Sequence, residues 1–342
     1  LKALNESNLE ARKKMNSNIN RVLNRGGKEK MINEAQHLEG IPVTNTMFDL
    51  DDLHINTKSG IVDLETGDIK PPTKEAMHSK YIDIEIDKTP PKTWLKFLTE
   101  TYSDNQELIE YVQRLLGYSM TGMTSEQALF IFHGDGSNGK SLLLETALKA
   151  MGNYGATTSA DLLVGGQTNN NKSEERLAVL IGTRFAMVEE TETNSRLRES
   201  TIKTLTSDYG EVQARFLYGN PFSYKPKFKL IMATNHKPII RGTDHGIWRR
   251  IKIIPHNNII PDHKQDKMLG FKLEKELPQI LWCIIEGVIK YIDSGLQEPQ
   301  IIREQVNEYK SDMNIVERWI IDNCERDDSY FETSKNLYLD FT

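Results

Sequence analysis

The stretch Gly134-Asp-Gly-Ser-Asn-Gly139-Lys140-Ser141 constrains this chain more than any other. It fits the pattern G-x-x-x-x-G-K-[ST]. A short apolar run, Leu129 to Phe132, precedes it, and Leu142 to Leu148 supplies helical periodicity after it. The reading is strand, glycine loop, helix. Glycines let backbone N–H groups converge on phosphate oxygens without a Cβ in the way, and the following helix adds its positive end. The candidate nucleotide-binding residues are Gly134, Asp135, Gly136, Ser137, Asn138, Gly139, Lys140 and Ser141. Lys140 is placed to reach the β- and γ-phosphates of ATP, and the Ser141 hydroxyl to sit on Mg²⁺.

Strands alternating with helices around such a loop imply an α/β fold with a parallel sheet and the ligand at its carboxyl edge. Other active groups are then expected at strand ends. Arg184 to Val188 reads as an apolar strand ending at Glu189-Glu190. Paired acids there place one carboxylate near Mg²⁺ and one near an attacking water, and either could be the base. Lys229 to Thr234 is another buried strand and ends at Asn235, a carboxamide able to orient water or bond a γ-phosphate. Arg249-Arg250 precedes a last strand, Ile251 to Pro255. A guanidinium there could reach a γ-phosphate in trans.

Length, at 342 residues, allows two or three domains. Cys283 and Cys324 lie far apart with no ligand-type spacing, which speaks against a zinc site or a disulfide framework. There is no signal peptide and no apolar run long enough to span a bilayer. The net charge is −6, yet between Val212 and Lys252 nine Lys and Arg residues face the single acid Asp244. Within that basic region Val212 to Leu217 and Phe222 to Lys225 read as a hairpin around Tyr218-Gly219-Asn220-Pro221. Arg215, Tyr218, Lys225 and Lys227 are its candidate DNA-binding residues, with cations for phosphates and a ring for stacking.

The remaining organisation is read from periodicity. Residues 1–90 read as helices broken at Gly26-Gly27, then short strands between Phe48 and Ile69, and a half-buried strand from Tyr81 to Ile86. Residues 91–127 read as a helical, collar-like segment over Trp94 to Met120, with a packing role only. Residues 128–262 hold the phosphate loop and its strands, and residues 263–342 read as helices. The sequence begins at Leu1 and reads as part of a longer polypeptide.

The chain resembles the phage, plasmid and poxvirus primase-helicase family, whose motor is a superfamily 3 helicase of AAA+ type. The residues that carry the resemblance run from about Ile61 to Ser311. They include Gly60 to Asp68, Leu115 to Gly122, Gly134 to Ser141, Glu190-Thr-Glu192, Ile202-Lys203, Ala214-Arg215, Phe228 to Pro238 and Arg241 to Arg250. The resemblance implies an AAA+-type P-loop ATPase core with a mixed N-terminal region and a helical C-terminal region. It also implies a homo-oligomeric ring, a hexamer, around single-stranded DNA, moving 3′ to 5′ on ATP and Mg²⁺. Lys140 and Ser141 match its Walker A residues, Glu190 its Walker B acid, Asn235 its sensor, and Arg249 with Arg250 its arginine-finger region. Glu189 remains a second choice for the essential acid. Relatives of this kind carry a primase-polymerase domain upstream and act with replication proteins. They are phage- or mobile-element-encoded and work in the host cytoplasm, with no membrane partner. The end of the chain is where a winged-helix domain would begin. Two other readings stay open: a DNA-dependent P-loop ATPase that does not unwind, and a primase- or origin-docking module whose ATP site controls assembly.

Overall fold

A computed structural model describes residues 2–44, 47–165, 170–189, 193–242, 244–261, 263, 265–314, 319–320, 323–325, 327 and 329–341. The chain divides into two units, Leu1–Phe48 and Asp49–Thr342. The first unit holds α1 (Lys2–Leu23) and α2 (Arg25–Ala35). The break between them falls at Asn24, not at Gly26-Gly27. The Asn24 side chain accepts from the Gly27 amide at 2.7 Å and caps α2, so both glycines lie in the first turn of that helix.

The second unit opens with a three-stranded antiparallel sheet, β1 (His54–Thr57), β2 (Gly60–Asp63) and β3 (Ile69–Lys70). Tyr81 to Ile86 does not form the expected strand. Only Ile82 pairs, as a bridge to Thr57, although its alternating side chains mimic a strand pattern. Two helices follow where the sequence suggested one stretch: α3 (Lys92–Thr101) and α4 (Gln106–Met120). Asn105 separates them by capping α4 through the Leu108 amide.

The core alternates β4 (Leu129–His133), α5 (Lys140–Ala150), β5 (Gly155–Thr158), α6 (Asn170–Val179), β6 (Phe185–Val188) and α7 (Glu199–Leu205). A hairpin, β7 (Val212–Ala214) with β8 (Phe222–Tyr224), comes next, then β9 (Lys229–Thr234), α8 (His245–Trp248) and β10 (Ile251–Pro255). The C-terminal part is helical: α9 (Leu269–Lys275), α10 (Leu277–Ser294), α11 (Gln300–Met313) and α12 (Ser334–Phe341). No described helix is long and apolar enough to cross a membrane.

Five strands form one sheet in the order β10-β4-β9-β6-β5, and every pairing in it is parallel. This is the parallel α/β arrangement expected around the glycine loop, a P-loop-type core. Alternate residues of β4 feed opposite sides of the sheet. Phe130 and Phe132 join one core with Leu143, Leu144 and the buried faces of α4 and α10. Leu129 and Ile131 join a second core with Leu230, Met232 and Tyr309. Both faces are therefore covered, which is why the strand reads as a continuous apolar run.

A buried cation ties the antiparallel sheet to this core. The Arg184 guanidinium donates to the carbonyls of Met120 at 2.9 Å, Asp51 at 2.7 Å and His54 at 2.9 Å, and lies 4.8 Å from the Tyr154 ring centre. Burial lowers its pKa, while Tyr154 and the Asp52, Asp49 and Asp51 carboxylates act against that.

Candidate nucleotide site

The phosphate loop leaves the carboxyl end of β4, between β9 and β10, and runs straight into α5. Two glycines in it have no substitute. A Cβ on Gly134 would stand 2.1 Å from the His256 carbonyl oxygen. Gly139 caps α5 at φ +80°, and a Cβ there would press on the Phe97 ring at 3.0 Å. The loop is thus gripped from behind by α3 and by the chain just after β10. The Ile260 amide also donates to the Ser137 carbonyl at 3.0 Å.

Lys140 is only 6% exposed. Its ammonium donates to the Gly134 carbonyl, to Asn138 Oδ1 at 3.2 Å and to Asn235 Oδ1 at 2.9 Å. Lys140, the first residue of α5, and Asn235, directly after β9, therefore meet. A cavity of about 380 Å³ opens over them, lined by Gly136 to Leu142 on one side and Met187, Val188, Thr234 and Asn235 on the other. Ser141 is exposed to it in the first turn of α5. The amides of a first helical turn project beyond the helix end, so glycine cradle, amides and ammonium together suit a chain of phosphates. The residues present fit a nucleoside triphosphate. Mg²⁺ would be held through those phosphates, the Ser141 hydroxyl and a carboxylate. Among the described residues no group of three or more His, Cys, Asp or Glu forms a metal cage.

Glu189 is exposed at the end of β6, one strand beyond β9, and its amide donates to the Thr158 carbonyl at 3.0 Å. Glu190, the other candidate acid, lies outside the described residues.

Arg249 and Arg250 lie elsewhere in the chain. They precede β10, and the Arg250 carbonyl accepts from the Leu129 amide at the start of β4. That is the amino edge of the sheet, opposite the phosphate loop. Arg249 Nη2 donates to Gln127 Oε1 at 2.9 Å, and Arg250 Nη1 to the Gly246 carbonyl at 2.7 Å. Burial and the Arg249 cation lower the Arg250 pKa.

The hairpin departs from its expected composition. Its strands are shorter, and Phe216, Leu217 and Tyr218 all project from the tip, Tyr218 being 99% exposed. Lys227 is committed to the protein: it pairs with Asp52 at 2.6 Å and donates to the carbonyls of Asp49 at 2.8 Å and Leu50 at 2.7 Å. Arg215 faces Glu174 at 3.8 Å and Lys225 faces Asp208 at 3.7 Å. Lys225 is half exposed and Arg215 less so. The tip is more aromatic and less free in charge than the sequence alone indicates.

Three residues behind the loop were not singled out by sequence reasoning: Phe97, Tyr102 and His256. Trp94 to Met120 looked like packing, and it does pack. Yet α3 brings Phe97 to Gly139 of the loop, and the OH of Tyr102, its C-cap, bonds His256 Nε2 at 2.9 Å. The one sequence signal was a histidine directly after a buried strand.

Several known proteins and two protein families are similar to this chain. The family described as "D5 N terminal like" matches residues 1–103, and a family of unknown function, DUF5906, matches residues 132–250. The protein named "Putative helicase L207/L206" of Acanthamoeba polyphaga mimivirus is 25% identical over 93% of this chain and 36% of its own length. "Putative helicase 022R" of Frog virus 3 is 22% identical over 74% of this chain and 28% of its own. "Primase D5" of Fowlpox virus is 26% identical over 49% of this chain and 20% of its own. The chain thus spans about a third of the length of the first two relatives. Among solved structures, the A-form apo structure of the NrS-1 C-terminal region shares the fold, with a TM-score of 0.50 at 14% identity, over 71% of this chain and 58% of that one. With a D5-type N-terminal match, viral relatives named as putative helicases and a primase, and a parallel P-loop core, the chain is similar to phage/poxvirus-type primase-helicases.

Proposed function

We propose that this chain is the motor segment of a viral or phage replication helicase. It hydrolyses ATP with Mg²⁺, assembles into a ring of its own copies, a hexamer, and moves 3′ to 5′ on single-stranded DNA. The observation that carries this reading is the division of charged groups between the two edges of one sheet. Lys140 and Asn235 meet at the carboxyl edge, and Arg249 with Arg250 sit at the amino edge.

Each group then has a role. Lys140 neutralises charge on the β- and γ-phosphates, and the loop amides hold their oxygens. Asn235 orients Lys140 and the attacking water. Glu190, or Glu189, takes the water's proton. Ser141, with Glu190 or Glu189, would hold Mg²⁺, which when bound would supply charge neutralisation to the phosphates. Arg249 or Arg250 serves a neighbouring subunit's γ-phosphate. The hairpin tip offers Tyr218 and its apolar neighbours to DNA bases, with Lys225 and Arg215 as secondary phosphate contacts.

The test combines ATP turnover, with and without single-stranded DNA, and strand displacement on a forked duplex. DNA-stimulated turnover with displacement, lost in Lys140→Ala, supports the helicase. Turnover without displacement leaves a non-unwinding ATPase. Nucleotide binding without turnover leaves an assembly module for a primase or an origin. A primase-polymerase partner fits the names of the D5-type relatives and belongs to the same proposal.

A further inference from the structure

Behind the phosphate loop runs a buried chain of hydrogen bonds. It begins at Tyr102, the C-cap of α3, which is buried. The Tyr102 and His256 rings lie 4.9 Å apart, and the hydroxyl is 2.9 Å from His256 Nε2. His256 comes directly after β10 and is 1% exposed. Its amide donates to the His133 carbonyl at 2.7 Å, its carbonyl accepts from Asn138 Nδ2 at 2.9 Å, and its Nδ1 is 3.4 Å from the Asn138 carbonyl oxygen. These partners set the tautomer: Nδ1 carries the proton, and Nε2 accepts from Tyr102. Asn138 passes the constraint forward. Its Oδ1 accepts from the Lys140 amide at 3.4 Å and from the Lys140 ammonium at 3.2 Å.

We propose that Tyr102 and His256 are positioning residues that hold the phosphate loop in its nucleotide-binding shape and, through Asn138, aim Lys140. The inference rests on the nucleotide reading and deepens it. Neither residue lines the cavity over Lys140, so neither touches the phosphates. Their effect is on the fraction of molecules whose loop is ready. A smaller ready fraction weakens apparent affinity by that same factor. Turnover of bound nucleotide stays close to normal, because the reacting groups are unchanged. Burial keeps His256 neutral at working pH, pushing its pKa down to about 3, so the link is not a charge switch.

Tyr102→Phe removes one hydroxyl and keeps the ring. Tyr111→Phe is the comparator: Tyr111 is fully buried on α4, and its hydroxyl has no hydrogen-bond partner among the described residues. A fluorescent ATP analogue gives Kd, steady-state hydrolysis gives KM and kcat, and thermal melts of the same samples report folding. The expected result for Tyr102→Phe is about fivefold weaker binding and a matching rise in KM, the loss of one ordinary hydrogen bond. Its kcat stays within about twofold. Tyr111→Phe keeps wild-type Kd. Should Tyr102→Phe fail to fold, His256→Gln, which retains the backbone bonds, is the second variant, with the same expectation. Wild-type Kd in whichever variant folds overturns the proposal. So does an equal loss in Tyr111→Phe. A wild-type chain that binds no nucleotide overturns the nucleotide reading itself and this proposal with it.

Discussion

The Arg250 carbonyl accepts a hydrogen bond from the Leu129 amide at 2.7 Å, which pins the two arginines at the opposite end of β4 from the phosphate loop. The five residues of β4 span roughly 16 Å. A side chain at that edge cannot reach the γ-phosphate of its own subunit, whereas a neighbour in a ring could present its nucleotide there. The prediction is complementation. A Lys140→Ala subunit keeps its arginines, and an Arg250→Ala subunit keeps its loop. Mixed rings recover ATPase that neither variant has alone, because a finger supplied in trans contributes ~10³-fold or more. Co-assembled mixtures without recovery would exclude the shared site.

Asn235 holds Lys140 at 2.9 Å from the neighbouring strand end. Asn235→Ala removes that carboxamide and leaves the buried part of β9 untouched. Turnover is expected to fall about 100-fold, the usual cost of losing one preorganised group, while nucleotide affinity changes far less. Equal losses in kcat and affinity would assign Asn235 to ground-state binding. Steady-state kinetics beside direct binding separates the two.

Lys227 and Tyr218 lie close in sequence and do different things. Lys227 is 19% exposed at its side chain and holds Asp49, Leu50 and Asp52 in place. Lys227→Ala is expected to destabilise the fold by about 1–3 kcal/mol, seen in urea midpoints, with little change in the salt slope of DNA binding. Tyr218→Ala touches no packing and should leave stability unchanged. It should weaken single-strand binding by about 1–3 kcal/mol, the value of one stacked base. A reversal of these two outcomes would return Lys227 to the DNA surface.

Acid should expose the buried His256. Its pKa is about 3 in the fold, against an ordinary value of 6.5, so between those values the unfolded chain binds a proton that the native chain refuses. Stability is therefore complete above about pH 6.5 and falls as pH drops toward 3, by up to about 1.4 kcal/mol per pH unit. His133, also held down by burial and by the Lys237 and Lys140 cations, adds a slope of the same sign. Urea midpoints at pH 7 and pH 5 should differ less in His256→Gln than in the wild type. Identical acid slopes would mean the imidazole is not buried in solution.

The phosphate loop, its strand and its helix were legible in the sequence because each is local. Glycine spacing, an apolar run and helical periodicity act on neighbours along the chain. The ends of β6 and β9 were legible for the same reason. Buried parallel strands are continuous apolar runs, and the residue after such a run must lie at the carboxyl edge of the sheet. Local pattern misled where it had no partner to pair with, as at Tyr81 to Ile86, whose alternation yields a single bridge.

Sequence by itself determined which candidate groups this protein carries: a P-loop pattern with Lys140 and Ser141, a carboxamide at Asn235, acids at 189 and 190, and a pair of arginines. The tertiary structure decided which of these groups meet. Strand order set β9 beside β4, so Asn235 touches Lys140, while parallel direction sent Arg249 and Arg250 to the far edge. It also took Lys227 out of the hairpin's free charge and brought Tyr102 and His256, 154 positions apart, behind the loop. Contacts at that separation depend on how sheets and helices stack, and stacking is set by the whole core rather than by any stretch of residues.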